Sequence, residues 1–330
     1  MELKYKQASK ETRLAMAEIA ENPSLGEKEN SYSIETESKI IAATGHRHAK
    51  IVNSGNAAIL TTMNAIEGPI LIPDQGGWHG FKQIAKFLNK EVIKIKTDLG
   101  LITEESLENI NIKEIMAKSQ YKEPAIFLTS FAGYTAEQNM ETISNWSLEN
   151  NVLVVEDASG AITDNERKLA NKKYSDIIIG STSSPKVINV GDGGFISTNK
   201  QEIFEKSRLI LKICKPNNIT YKGIFTEIDH SSDNLKKTIE STMYMKNNLD
   251  NVVHEDKRGT NVIIAKRDPS TLLRNLKIKF NVGGKSIITI CPNYNRLNIK
   301  GIAIEIKNLD PTSLTKENLD EMIEIIKLYQ

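Results

Sequence analysis

The stretch Ser175-Asp176-Ile177-Ile178-Ile179-Gly180-Ser181-Thr182-Ser183-Ser184-Pro185-Lys186 passes from three isoleucines into four consecutive hydroxyl residues and ends on a lysine. An uninterrupted run of β-branched residues, with no polar alternation, reads as a strand buried on both faces. The hydroxyls and the proline then turn the chain. A lysine at such a place is no ordinary solvated surface lysine. Set just beyond a sheet strand, among hydroxyls and ahead of Gly191-Asp192-Gly193-Gly194, it is expected to be partly desolvated and nucleophilic enough to form a Schiff base.

Working outward from that strand, short apolar runs at 49–53, 69–73, 91–95, 125–130 and 152–156 alternate with helical patterns at 56–66, 79–89, 103–110 and 139–150. Strands separated by helices of this length predict βαβ units, hence an α/β fold with a mainly parallel sheet and helices on both faces. Downstream, a strand at 195–198 leads into a helix over 200–212. The polar, irregular segment 214–231 reads as a linker or active-site loop, and a long helix is expected near 232–248. Strands near 261–266, 286–291 and 301–306 and a closing helix at 315–329, with Leu319, Met322, Ile323 and Ile326 on one stripe, predict a small α+β domain. At the other end, two amphipathic helices are expected at 7–21 and 33–44, the second carrying Ile34, Ile40 and Ile41. The expected division is an N-terminal helical segment (1–45), a large domain (46–212) and a small C-terminal domain (213–330).

Two other strand ends carry candidate chemistry. In Ile51-Val52-Asn53-Ser54-Gly55-Asn56-Ala57-Ala58 a strand meets a Ser-Gly-Asn turn that opens a helix, aiming free N–H groups and the positive helix end at one point where a phosphate can sit. Val154-Val155-Glu156-Asp157-Ala158 places two carboxylates at the C-terminal end of a strand, the edge of an open α/β sheet where ligands bind. An acid there protonates a ring nitrogen, holds a metal or caps the next helix; no histidine or third acid stands nearby to support a metal.

Composition is that of an ordinary folded protein. Forty-three basic side chains against 42 acidic give a net charge of +1, so nucleic acid is not indicated as a partner. Cys214 and Cys291 form no paired zinc or iron–sulfur motif, and no run is long and apolar enough for a membrane span or a secretory signal, so a cytoplasmic location is expected.

The three strand-end motifs stand in the order and spacing of fold-type I pyridoxal phosphate (PLP) enzymes, and over about residues 48–210 the chain resembles the DegT-type sugar aminotransferase family. The resemblance implies that Ser54, Gly55 and Asn56 bind the PLP phosphate, that Asp157 pairs with the pyridinium nitrogen, and that Lys186, followed by Gly193-Gly194, carries the Schiff base. It further implies an aromatic ring on the outer cofactor face, Trp78 or His79 in Gln75-Gly76-Gly77-Trp78-His79-Gly80, and a phosphate contact from Ser181 or Ser183. The chain departs from the family where a glutamine usually follows the aspartate by three residues: here Asp157 is followed by Ala158-Ser159-Gly160. His46-Arg47-His48-Ala49-Lys50 leading into the Ser-Gly-Asn turn is also similar to bacterial selenocysteine synthase, another PLP enzyme.

Fold and cofactor are thus expected to be PLP fold-type I, and the reaction an aminotransfer on a small-molecule amine or amino acid. The alternatives are a lyase or synthase on a seryl- or cysteine-type substrate, for which Cys291 is the candidate thiol nucleophile, and a non-catalytic PLP-fold regulator. Arg296, Arg258 and Arg267 are candidates for binding a substrate carboxylate. The resemblance also implies a homodimer.

Overall fold

Strand residues that alternate between two faces of a sheet build two separate cores, and that is how this chain folds in its computed structural model, which describes residues 1–22, 31–120, 122–293 and 296–330. Seven strands form the main sheet: β1 (His48–Val52), β2 (Ile70–Pro73), β3 (Val92–Ile95), β4 (Ala125–Thr129), β5 (Leu153–Asp157), β6 (Ile177–Ser181) and β7 (Gly194–Thr198). Their spatial order is β1-β7-β6-β5-β4-β2-β3. All run in one direction except β7, which is antiparallel to both of its neighbours. The mainly parallel α/β sheet expected from the sequence is therefore present.

On one face Ile51, Leu71, Ile126, Leu128, Val154 and Ile178 pack against α2 (Ser31–Thr44), the short helices α5 (Glu104–Glu108) and α6 (Ile112–Lys118), α7 (Met140–Glu149) and the long helix α10 (Asn218–Lys246). On the other, Ile70, Ile72, Phe127, Val155, Ile177 and Ile179 pack against α3 (Gly55–Ala65), α4 (Gly80–Phe87) and α8 (Glu202–Lys206). Both faces are covered, which explains why the strands read as continuous apolar runs. A third core lies beyond α10, where the antiparallel strands β8 (Val262–Ala265), β10 (Gly301–Ile304) and β9 (Ile288–Cys291) pack on α11 (Ser270–Lys279) and α12 (Lys316–Tyr329).

The sequence reading fails at 214–231. This segment is neither linker nor loop: α10 begins at Asn218, with the Asn217 side chain accepting from Thr220 N, and continues for 29 residues. Its buried Tyr221, Ile224 and Ile228 recur at helical spacing, but the lysines, threonines and acids between them mask the stripe. The helix is long because it serves two cores, placing Ile224, Ile228, Leu235 and Ile239 against the main sheet and Met245 against the C-terminal one. Two smaller corrections follow. The helix expected over 200–212 is broken at Ser207, whose hydroxyl donates to Thr61 O at 2.7 Å, and continues as α9 (Arg208–Ile213). Ile34 is 60% exposed, so on α2 only Ile40 and the partly buried Ile41 belong to the core stripe.

The N-terminus crosses to the far end of the molecule. Tyr5 bridges Leu309, Lys6 N donates to Asn308 O at 2.8 Å, and Asp310 N donates to Lys4 O at 2.9 Å. Leu3 and Tyr5 pack on the C-terminal core. The chain then returns as α1 (Lys10–Glu21), capped by Ser9, along α10.

Candidate active site

The C-terminal edges of β5 and β6 and the N-terminus of α3 converge on one cavity of ≈ 160 Å³, lined among others by Ser54, Gly55, Asn56, Trp78, Asp157, Ser181, Ser183 and Lys186. Eight of the nine residues expected from the sequence therefore face a common space. The ninth, His79, does not line it; its ring packs on Trp78 with centroids 4.4 Å apart.

Each wall has a local cause. Ser54 is the N-cap of α3 and its hydroxyl accepts from Ala57 N at 3.1 Å, which leaves the N–H groups of Gly55 and Asn56 directed at the cavity. Gly55 has no alternative: a Cβ there would lie 2.6 Å from Ser181 Cβ, so only glycine lets the two turns meet. Opposite, the Ser181 and Ser183 hydroxyls bond each other at 2.8 Å, and Ser183 N donates to Ser181 Oγ at 3.2 Å. The glycine pair has a similar origin. A Cβ on Gly194 would lie 2.6 Å from Ser54 O and 2.7 Å from Gly180 O, so glycine is what allows β7 to enter between β1 and β6.

Strand alternation separates the two acids of β5. Glu156 is fully buried on the far face, accepting from Ser130 Oγ and Ser175 Oγ at 2.7 Å and Ala170 N at 2.9 Å, and is structural. Asp157 faces the cavity. Its Oδ1 accepts from Ser159 N at 3.0 Å and Ser159 Oγ at 2.5 Å, a two-residue side-chain turn in place of a helix cap. Its Oδ2 has no hydrogen-bond partner among the described residues and is thereby open to the cavity. Burial raises the Asp157 pKa against the opposing Ser159 hydrogen bonds and the Lys186 charge. Ser159 stands close to the place of the glutamine the family usually carries, and also donates its hydroxyl to Asp157 while accepting from Ser181 N at 2.8 Å. It thus ties the β5 and β6 ends together.

Lys186 is half-buried, and its ammonium donates to the Tyr134 hydroxyl at 2.9 Å. Sequence reasoning missed Tyr134. It sits in the short hairpin pairing 131–132 with 136–137 just past β4, at φ +63°, and its position beyond a strand end was the available signal. Burial opposes its ionisation, but the charges of Lys186 and Lys307 outweigh burial and bring the phenol below its ordinary pKa. Reciprocally, burial lowers and Tyr134 raises the Lys186 value, with Tyr134 prevailing. The Lys186 ammonium and the Tyr134 oxygen thus stabilise each other's charged forms across this hydrogen bond.

Arg296 Cζ lies 5.0 Å and Lys307 Nζ 4.9 Å from the Tyr134 ring centroid. Arg296 is committed elsewhere: its Nε and Nη2 donate to the Glu305 carboxylate at 2.6–2.9 Å. Glu305 also takes Lys307 at 3.0 Å and Asn261 at 2.7 Å. Despite burial, the Lys307 and Arg296 charges hold Glu305 down at about 2. Arg258 is held by Glu137, Asp164 and Glu166, and Arg267 is exposed outside the cavity. Cys291 is buried among Val253, Ile263 and Leu297, and burial pushes its thiol up to about 12. Among the described residues no cluster of histidines, cysteines and acids is placed to hold a metal.

The donor set suits a phosphorylated heterocyclic aldehyde. Open N–H groups and hydroxyls stand at one end, an uncommitted carboxylate oxygen on the floor, an indole at the side and an amine beside them. Comparison with known proteins agrees. Residues 7–228 match the model of the DegT/DnrJ/EryC1/StrS aminotransferase family, and residues 232–327 match that of the MJ1341 family C-terminal domain. A UDP-4-amino-4,6-dideoxy-N-acetyl-beta-L-altrosamine transaminase from Campylobacter jejuni is 27% identical over 189 residues, which is 56% of this chain; the match spans about half of that relative (47%). Among solved structures, Helicobacter pylori PseC, an aminotransferase involved in the biosynthesis of pseudaminic acid, superposes with a TM-score of 0.77 at 15% identity, covering 100% of this chain and 99% of that one. A DegT DnrJ EryC1 StrS aminotransferase from Brucella abortus gives 0.70 at 14% identity, over 96% and 95% of the two chains. A serine palmitoyltransferase from S. paucimobilis gives 0.75 at 13%, over 100% and 87%. With the family model spanning two-thirds of its length, this chain belongs to the DegT/DnrJ/EryC1/StrS aminotransferase family.

Proposed function

We propose that the protein is a PLP-dependent aminotransferase that uses Lys186, and that it works as a cytoplasmic homodimer on a small-molecule amine or amino-acid donor. The observation that carries this reading is the convergence of Lys186, Asp157 and the α3 N-terminus on one cavity at the strand ends. Family membership supports it. Among the described residues no helix is long and apolar enough to cross a membrane.

The residues divide the labour by chemistry. The Gly55 and Asn56 N–H groups, the α3 helix end and the Ser181 and Ser183 hydroxyls would hold the phosphate. Asp157 Oδ2 would face the ring nitrogen and keep it protonated, with Ser159 fixing the carboxylate plane. Trp78, whose Nε1 donates to Asn56 Oδ1 at 3.1 Å, would cover one face of the ring and exclude water there. When bound, the cofactor supplies the electron sink that lets an amino group pass from one substrate to another. Lys186 Nζ would move a proton to and from the substrate carbon, and the Tyr134 hydroxyl, at hydrogen-bond distance, accepts a hydrogen bond from that nitrogen and orients it. The thiol-nucleophile alternative finds no support at Cys291, whose buried, high-pKa thiol is chemically inert.

Borohydride reduction of the PLP-treated protein, followed by peptide mass spectrometry, tests the reading: the cofactor mass is expected on Lys186, and its visible absorbance band should fade when glutamate is added to unreduced protein. A Lys186→Ala protein that still transaminates, or a label on a different lysine, refutes it.

A further inference from the structure

A phenolic hydroxyl can donate one hydrogen bond while it accepts others. The Tyr134 oxygen accepts from Lys186 Nζ at 2.9 Å, but among the described residues nothing takes its own hydrogen. Tyr134 nonetheless lines the main cavity beside Asp157, Ser159 and Lys186. Its main chain is clamped from the C-terminal side: Tyr134 O accepts from Thr260 N at 2.8 Å and Asn261 N at 2.9 Å, and Thr135 O accepts from the buried Lys246 ammonium at 2.7 Å. The uncommitted O–H is thus carried by a backbone held in place.

The ring is seated by Gly160, three residues after Asp157. A Cβ on Gly160 would lie 3.2 Å from Tyr134 Cε1 and 3.4 Å from Cδ1. Any side chain at 160 would therefore start against the phenol and compete with it for one space, and glycine leaves that space to Tyr134.

The covalent structure of PLP says what the free hydrogen could meet. On its ring the aldehyde carbon lies opposite the nitrogen and is flanked by the phosphate-bearing arm on one side and a hydroxyl on the other. With the nitrogen at Asp157, the aldehyde at Lys186 and the arm at the Ser54–Asn56 and Ser181–Ser183 turns, the ring hydroxyl leaves on the remaining side. Tyr134 stands there: the space behind it is bounded by Gly160, Lys186 and Lys307 and, among the described residues, by neither phosphate turn.

We propose that Tyr134 is a cofactor-binding residue that donates its hydroxyl hydrogen to the ring-hydroxyl oxygen of PLP, in the room that Gly160 leaves. The inference rests on the PLP reading of the cavity. Lys307 and Arg296, 4.9 and 5.0 Å from the ring centroid, strengthen the phenol as a donor. The bond draws electron density from the oxygen that otherwise holds the proton of the Lys186 Schiff base, so it lowers the proton affinity of that nitrogen.

Tyr134→Phe keeps the ring against Gly160 and removes only the hydroxyl, so the fold is retained. Equilibrium dialysis of apoprotein with PLP and with 3-deoxypyridoxal 5′-phosphate, which lacks the ring hydroxyl, tests the contact without turnover. PLP affinity is expected to fall about tenfold in the variant, while the deoxy analogue binds both proteins within about twofold. In the PLP-loaded variant the pH midpoint of the visible absorbance band should rise by about one pH unit. Equal losses for PLP and its analogue would mark a purely structural tyrosine; that result, unchanged PLP affinity, or an unmoved midpoint overturns the inference. If wild-type protein binds neither compound and Lys186 takes no label, it is the PLP reading that falls.

Discussion

Arg296→Met separates two roles that the same side chain offers, receptor for a substrate carboxylate or structural partner of Glu305. In the structure Glu305 is 2% exposed and is held at about 2 by Lys307 and Arg296 against the opposing effect of burial. The gap from an ordinary glutamate value of 4.5 to about 2 corresponds to about 3 kcal/mol, at about 1.4 kcal/mol per pH unit. Removing Arg296 leaves a buried carboxylate with Lys307 and Asn261 only, so the loss should fall at the lower end of the roughly 3–5 kcal/mol range for broken buried pairs. For 330 residues, at an unfolding entropy of about 0.7 kcal/mol per kelvin, that lowers Tm by about 4 °C. The sign with pH follows from linkage. Because the folded-state pKa of Glu305 is depressed, its stabilisation is complete above about 4.5 and is lost as pH falls toward about 2. Scanning calorimetry should therefore show the gap between wild type and variant at pH 7 and a narrower gap at pH 3. A Tm within 1 °C of wild type at pH 7, combined with a donor KM raised more than about tenfold, would refute the structural assignment and return Arg296 to the substrate.

Two further outcomes concern the site itself. Tyr134→Phe removes the hydroxyl 2.9 Å from Lys186 Nζ, so kcat should fall by about tenfold or more, as for loss of the group that orients the proton-carrying amine, while KM changes little; steady-state kinetics with unchanged kcat would show that Tyr134 does not orient Lys186 for catalysis. Gly55→Ala puts a methyl 2.6 Å from Ser181 Cβ, forcing apart the two turns proposed to hold the phosphate. It should cost about 1–3 kcal/mol of stability by overpacking and weaken cofactor retention on dialysis; full retention would show that these turns do not hold the phosphate.

Much of the site was legible because its residues announce themselves locally. Ser54-Gly55-Asn56, Asp157 and Ser181 to Lys186 each stand at a strand end, and in an open α/β sheet strand ends are where binding groups collect, so local sequence located them before any contact was known. Choosing between Trp78 and His79 needed the structure, since adjacent residues at a helix entry point in different directions. The segment 214–231 misled because its apolar positions are sparse and its helix gains stability from two cores rather than from its own composition.

By itself, the sequence determined the mainly parallel α/β sheet, the order of the three strand-end turns that line the cavity, and the lysine proposed to carry the chemistry, because periodicity and strand-end punctuation are local properties of the chain. Tertiary structure alone decided which charges meet. Tyr134 reaches Lys186 across 52 residues, Arg296 is spent on Glu305, and Lys6 arrives beside Lys307 from 301 residues away. Pairings over such separations depend on how the N-terminal segment, the hairpin after β4 and the C-terminal sheet pack together, and no local pattern in the chain encodes them.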